Sequence, residues 1–598
     1  MLTDYTNNRL GKISELAEEG KIITGLRKLL YREDLWLLAY QNLLGNKGAG
    51  TEGVDGSSMS DMTRERIARL IASIRDGNYE PKPVRRVYIP KADGRRRPLG
   101  IPTGDDKLVQ EVVRLILERV YEPVFSDDSH GFRPGRSCHT ALERVRRWTG
   151  TKWFLELDVK GFFDGIDHGK LIQLLERRID DGKFLRIIRS MLRAGYLENW
   201  EFQRTYSGTP QGGVISPLLA NIYLHELDGF VREMQREFNC GTRRRNSREA
   251  TVLSSRINRR RVKLEQLRAQ GQESDEAVRL HQEIRQYQEE RLNYPGTDPF
   301  DPDFRKLFYC RYADDFLIGI IGSRAEAEAI YARVRTFIRE ELKLEIAEAK
   351  SGIRHNADGV TFLGYDVNVR PGHLLRRHIE RGRRCTKRLA SANISLRVPH
   401  EKVRAFCTEK GYGQFDEGNA VHRPRLLNLS EVEIVQIYNS EMRGIANYYA
   451  IADDAKRELS KLCYLGTYSL FHTLAAKRRC RMTAVIASMK EGRDFILPYK
   501  AGEVAKTLPV WRLRNLQNRV RQFAEVDLTP LPHAVPQRQE IITRLLAGVC
   551  EACDGIGVRV SVHLVRNLRS RKLANTRLLH LCETSRRRSL TVCKDCVY

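Results

Sequence analysis

The chain has 598 residues, more than one hydrophobic core holds, so two to four domains are expected. A hydrophobic fraction of 41% excludes a wholly disordered chain, while 103 Lys plus Arg against 76 Asp plus Glu leave a net charge of +27. Basicity spread along so large a protein points to a polyanionic partner, most often nucleic acid.

The opening MLTDYTNNRLGKISELAEEG is polar and lacks the apolar core of a secretory signal. Residues 1–80 read as mostly helical and basic, with LRKLLYREDLWLLAYQNLL as an amphipathic segment. VRRVYIPKADGRRRPLGIP follows as two extended runs joined at Asp93-Gly94, a hairpin signal. DDKLVQEVVRLILERVYEPVF has helical spacing, and WFLELDVKGFF reads as a buried strand leaving through Gly161. SPLLANIYLHELDGFVREMQREF is a helix opening at Ser216-Pro217, read as a cap and first-turn pair.

Residues 240–300 are charge-dense, with Leu253, Ile257, Leu264, Leu267, Leu280, Ile284 and Tyr287 at helical intervals. This is a helical insertion, either a solvated hairpin of helices or one that touches phosphates through RINRRRVK. LFYCRYADDFLIGII reads as two strands around a turn, and its FLIGIIG is too short to span a bilayer, so no membrane partner and a cytoplasmic location are expected. SRAEAEAIYARVRTFIREEL is a helix, and LKLEIA and VTFLGYDVNV are strands. The order strand, helix, hairpin, helix, strand predicts an α+β layer with helices on one face of a sheet. Residues 375–500 read as helical and strongly basic, 501–545 as a linker with short helices, and 546–598 as a Cys-rich end.

In YADDF the neighbouring Asp314 and Asp315 fall at the hairpin tip, where they repel one another unless a cation compensates. Hard oxygen ligands favour Mg2+. Asp158, in ELDVKGFFDGIDH, ends the WFLEL strand. If the two strands are neighbours, these acids converge on a metal pair able to activate a 3′-hydroxyl and stabilise a leaving pyrophosphate. Most of the twelve cysteines are scattered singly, as in a reducing compartment, but Cys550-x-x-Cys553 and Cys593-x-x-Cys596 have the spacing of two zinc knuckles.

YADD, ELDVKGFFDGIDH and GTPQGGVISPLLANIYL resemble the palm motifs of reverse transcriptases, specifically those encoded by group II introns. The resemblance continues through RRVYIPKADGRRRPLGIPTGDDKLVQ, HGFRPGRSCHTAL, KLEIAEAKSGI and VTFLGYDV, and into IYNSEMRGIANYYAIADDAKRELSKL and SLFHTLAAKRR, which are similar to the thumb, or maturase, region. It implies an α+β right-hand polymerase. Residues 1–80 would form an N-terminal extension and the start of the fingers, and 81–374 fingers and palm with the insertion at 240–300. Residues 375–500 would form the thumb, 501–545 a DNA-binding or linker region, and 546–598 an incomplete His-Asn-His-like zinc domain.

By the same resemblance Asp158, Asp314 and Asp315 are catalytic and hold two Mg2+ ions, with the backbone carbonyl of Val159 as a further ligand. Lys91 and Arg97 grip the incoming triphosphate. Phe163 excludes a 2′-hydroxyl from beneath the sugar. Pro210, Gln211 and Gly212 lie beside template and nucleotide, and Lys350 assists pyrophosphate departure. The implied partners are group II intron RNA, a DNA target or primer, and dNTPs. The mixture of Arg and Lys with aromatics in HLLRRHIERGRRCTKRLA and AAKRRCRMTAV suits a folded RNA.

The tail resembles a His-Asn-His endonuclease that holds Zn2+ through Cys550, Cys553, Cys593 and Cys596, with two departures. SVHLV carries His563 alone, so Leu564 occupies the position of the general base, and CKDCVY ends before the histidines that complete the family's metal site. DNA binding without cleavage is expected. The expected function is RNA-directed DNA synthesis joined to splicing and mobility of an intron. A maturase with an idle polymerase, and a reverse transcriptase recruited to another role such as defence, stay open beside it. RNA-directed RNA synthesis is disfavoured by Phe163.

Overall fold

The computed structural model describes residues 2–597 except 47, 61, 91–93, 95, 199–200, 204–207, 209–211, 270–274, 299–300, 371–374, 381–382, 389–392, 502–503, 518–538, 570–574 and 585–588. Helices α1 (Asp4–Glu18), α2 (Glu33–Leu44) and α3 (Arg64–Asp76) open the chain. Thr3 and Thr63 cap α1 and α3 by accepting from the amides of Thr6 and Arg66. The hairpin expected at Asp93-Gly94 forms: β1 (Val84–Pro90) pairs antiparallel with β2 (Arg96–Ile101), Pro90 opposite Arg96, and Gly94 takes φ +80°. Helices α4 (Gly104–Tyr121) and α5 (Cys138–Arg146) follow.

The central sheet contains β3 (Trp153–Leu157), β4 (Lys306–Tyr312), β5 (Asp315–Ile321) and β6 (Gly352–His355) in the order β6-β3-β5-β4, antiparallel throughout. Phe154 and Leu155 point to opposite faces, yet both are fully buried. Leu155, Ile318 and Ile320 join one core with α4 and with two further helices, α6 (Ser216–Phe238) and α9 (Arg324–Glu340). Phe154 and Leu317 join a second core with α5 and the C-terminal helices. Helices therefore cover both faces rather than one. Burial on both faces is the reason DFLIGII is apolar without alternation.

Three local expectations are corrected. Ser216 is the first helical residue of α6, not its cap; Ile215 holds the cap position and offers no side-chain hydrogen bond, while Pro217 sits in the first turn. LKLEIA is not a strand: Ile346 makes one isolated bridge to Val159, and the fourth strand of the sheet is the short β6. Residues 375–500 are mainly helical from α-helix His400–Lys410 through Met482–Met489, with one short strand pair, Gly413–Gln414 with Asn419–Ala420, inside that block and longer strands flanking it. Leu375–Glu380 pairs with Arg383–Arg388, and Asp494–Ala501 pairs with Val504–Pro509 across residue 500. Arginine favours helices locally, so a basic strand pair is set by its partner strand and not by its own residues.

The insertion is a helical hairpin, α7 (Arg248–Ala269) against α8 (Asp275–Arg291), with its own small core of Ile257, Leu264, Leu280 and Ile284. VTFLGYDVNV folds as β7 (Val360–Phe362) and β8 (Tyr365–Val369), turned at Leu363 and Gly364, both with positive φ. The C-terminal layer holds α10 (Glu431–Tyr448) and α11 (Ala455–Arg478), joined to the central unit by His139 of α5, whose Nε2 lies 2.7 Å from the Tyr448 carbonyl. The Cys-rich end docks on the first layer through a bridge between Val562 and Met62, and through Asn567 Nδ2 donating to Ser60 Oγ (3.1 Å). Among the described residues no helix is long and apolar enough to cross a membrane.

Phe154→Ala should lower stability by about 3–5 kcal/mol, because it empties a site buried between sheet and helices. Ile284→Ala should leave the main thermal transition in place and instead speed hydrogen exchange in α7 and α8, whose core is separate.

Candidate active site

Leu157 at the end of β3 pairs with Phe316 of β5. The residue that follows β3 is Asp158, and the residue before Phe316 is Asp315, so the register sets the two acids side by side. Tyr312 pairs with Asp315, which leaves Ala313 and Asp314 as a two-residue turn at the same sheet end. Burial, and then the Asp158 charge, hold the Asp314 carboxyl above the usual carboxylate range. Asp315 is open to solvent on one side but hemmed in by protein. Enclosure, followed by the charges of Asp314 and Asp158, pushes it up to about 6.

Cations answer this charge only in part. Lys350 Nζ stands 3.1 Å from Asp158 Oδ2, and both Lys350 and Arg97 act to lower Asp315. The remainder is an oxygen-rich set of the type that fits Mg2+. The backbone under Asp158 is fixed on both sides. Its amide donates to Ser351 Oγ (3.0 Å), its carbonyl accepts from Ala347 (2.8 Å), and the Lys160 amide donates to the Glu345 carbonyl (2.8 Å). These bonds flank Val159, which faces Ile346 without exchanging a hydrogen bond, so that ladder does not consume the Val159 carbonyl.

Arg97 is exposed on β2, and its charge reaches Asp314 as well as Asp315, so the hairpin faces the acids. Lys91, Pro210 and Gln211 lie outside the described residues. Gly212 (φ +108°) lies so close to β2 that a Cβ would stand 2.8 Å from the Gly100 carbonyl oxygen. A Cβ at Gly208 would stand 2.9 Å from the Phe163 carbonyl oxygen. Gly212 thus lies against the hairpin and Gly208 against the turn bearing Phe163, approaches that side chains would block. Phe163 is half-buried, edge-on to Phe162 with ring centroids 5.3 Å apart.

Two residues at this site escaped the sequence reading: Arg311 in β4 and its partner Asp228 in α6, both fully buried. An arginine inside the apolar run LFYCRY was the available signal.

At the C-terminal end, Cys550, Cys553, Cys593 and Cys596 bring their sulfurs within 4.8 Å of one another. Burial opposes ionisation of Cys550, but the amides of Cys593, Cys553 and Ala552 outweigh it and hold the thiol down to about 7. Four sulfurs so placed, one already inclined to the thiolate, fit a tetrahedral Zn2+. They gather at the end of a hairpin, where Cys593, the last residue of β10 (Ser589–Cys593), pairs with Val560, the first of β9 (Val560–Leu564). His563 is only 3% exposed, with Nε2 2.6 Å from Ser561 Oγ, and Leu564 is buried with its amide on Ser60 Oγ (3.4 Å).

Residues 89–242 match the family described as reverse transcriptase (RNA-dependent DNA polymerase), and residues 391–520 match type II intron maturase. Group II intron-encoded protein LtrA of Lactococcus lactis subsp. cremoris is 38% identical over 98% of this chain and 97% of its own. The chain belongs to the group II intron-encoded protein family. An uncharacterized 91 kDa protein in the cob intron of Schizosaccharomyces pombe is 30% identical over 99% of this chain and 72% of its own. Protein YkfC of Escherichia coli (strain K12) is 32% identical over 64% and 89%. This group II intron-encoded protein is an RNA-directed DNA polymerase that is also a splicing maturase.

A carboxyl raised in the folded chain binds its proton more tightly there than in the unfolded chain. The metal-free protein should therefore gain stability as pH falls from 7 through about 6, from Asp315 among others. Asp315→Asn should raise the melting temperature of the metal-free protein at pH 7 and flatten that gain, as read by thermal denaturation in chelator; added Mg2+ should stabilise only the parent.

Proposed function

We propose that the central sheet is the palm of a right-hand polymerase, in which Asp158, Asp314 and Asp315, with the Val159 carbonyl, hold two Mg2+ ions. When bound, those ions supply activation of a primer 3′-hydroxyl and neutralisation of the leaving pyrophosphate. The observation that carries this reading is the register that sets Asp158 beside Asp315, with Asp314 in the adjoining turn, where burial and then the neighbouring carboxylates hold Asp314 and Asp315 above the usual range. The β1–β2 hairpin belongs to the fingers, where Arg97 and Lys91 grip the triphosphate. Lys350 stands beside Asp158 to meet the departing pyrophosphate, and the loop of Pro210, Gln211 and Gly212 flanks template and nucleotide. Phe163 fills the space a 2′-hydroxyl needs and offers it no hydrogen bond, which selects dNTPs.

The template is the group II intron RNA, bound through phosphates and stacking by the basic C-terminal layer as a thumb, and the DNA target supplies the primer. The protein works in the cytoplasm. Cys550, Cys553, Cys593 and Cys596 hold Zn2+ in a His-Asn-His-like unit that binds DNA without cutting it, since the buried His563 and Leu564 present no base to solvent. An idle polymerase is disfavoured, because a site without metal chemistry has no use for three mutually repelling acids.

Asp314→Ala should reduce cDNA synthesis on an RNA template with dNTPs and Mg2+ by about 1,000-fold or more while leaving stimulation of splicing intact. Undiminished synthesis by that variant would reject the site. Phe163→Ala should raise ribonucleotide incorporation relative to deoxyribonucleotide by about tenfold or more, measured by competitive single-nucleotide extension.

A further inference from the structure

Arg311 and Asp228 carry opposite charges into the core at zero exposure. The guanidinium uses all five of its N–H groups. Nε and Nη2 donate to the two oxygens of Asp228 (2.7 and 2.6 Å), and Nη2 also donates to Ser129 Oγ (2.8 Å). Nη1 donates to Asn221 Oδ1 (2.8 Å) and to the carbonyl of Ala313 (2.9 Å). A buried ion pair is weak support for stability, because apolar residues of similar volume often replace it without loss. What this one holds is the turn that presents Asp314.

Ala313 is the first residue of that turn and has φ +57°, a conformation that favours glycine. Its carbonyl is held by Arg311. On its other side Gly131 packs so tightly that a Cβ there would collide with the Ala313 amide nitrogen. Asn221 joins the two clamps: it accepts from Arg311 and donates through Nδ2 to the Gly131 carbonyl (2.8 Å). Asn221 and Asp228 are seven residues apart, on one face of α6, so a single helix aims the arginine.

We propose that Arg311, aimed by Asp228 and Asn221, is the positioning residue of the metal turn. It fixes the Ala313 carbonyl and thereby the direction in which Asp314 offers its carboxylate, and the buried pair serves the geometry of catalysis rather than the stability of the fold. This inference rests on Asp314 being a metal ligand. Arg311 itself touches neither metal nor nucleotide, so its effect should be read in metal dependence and turnover.

The deciding experiment compares the full-length protein with the paired replacement Arg311→Met/Asp228→Leu. Melting temperature and binding of intron RNA should stay near the parent values, which shows an intact fold. Turnover in primer extension should fall about 100-fold, with the KM for dNTP changed less than about threefold. The Mg2+ concentration for half-maximal rate should rise about tenfold. A folded double variant with parental turnover and parental Mg2+ dependence overturns the proposal. Should the double variant fail to fold, Arg311→Lys decides: it keeps a charge opposite Asp228 but cannot also reach the Ala313 carbonyl. A raised Mg2+ requirement in that variant supports the positioning role and an unchanged one overturns it. A parent protein that makes no cDNA fails the polymerase reading itself, an outcome distinct from an active parent with an indifferent variant.

Discussion

The pairing of Leu157 with Phe316 governs everything around it. That register sets Asp158 against Asp315, with Asp314 in the adjoining turn, at the end of two neighbouring strands. A slip of one residue would move each side chain to the opposite face. Such a slip is closed off because Phe154 and Leu155 are buried in two different cores, each already filled. Hydrophobic packing therefore sets the register, and the register concentrates negative charge where only a cation can relieve it.

Around the acids, the chain brings together segments far apart in sequence by removing side chains. Gly212 lets one loop lie against Gly100 of β2, and Gly208 lets the same loop lie against the backbone at Phe163. Gly131 does the same behind the turn of Ala313 and Asp314. Arg311 braces that turn from within the core. The Cys-rich end sits far along the chain, yet its hairpin closes on Ser60 and Met62 of the first layer, which ties residues near the two ends of the sequence together.

Much of the site was readable in the residues. Adjacent carboxylates between apolar runs read as a hairpin tip, which the pairing of Tyr312 with Asp315 bears out, and the hairpin read at Asp93-Gly94 forms between β1 and β2. The residues misread were those whose conformation depends on a distant partner. KLEIA has the composition of a strand, but at Ile346 it meets only one residue of the sheet, and the edge position goes to GIRH, too short and too charged to be noticed. Ser216 has the chemistry of a cap, yet the helix starts one residue earlier than a serine cap would require. Arg311 was missed because nothing near it in sequence announces Asp228, 83 residues away.

The sequence by itself determined the chemistry on offer: three acids, two CxxC pairs, a basic chain and the motifs of a reverse transcriptase joined to a maturase. Those are properties of residue type and short spacing, which local physics settles. Only the tertiary structure decided which acids share a field, which carbonyl a buried guanidinium holds, and that the C-terminal hairpin docks on the opening layer. Each of those depends on contacts between segments tens to hundreds of residues apart, and their geometry is set by how two cores pack against one twisted sheet.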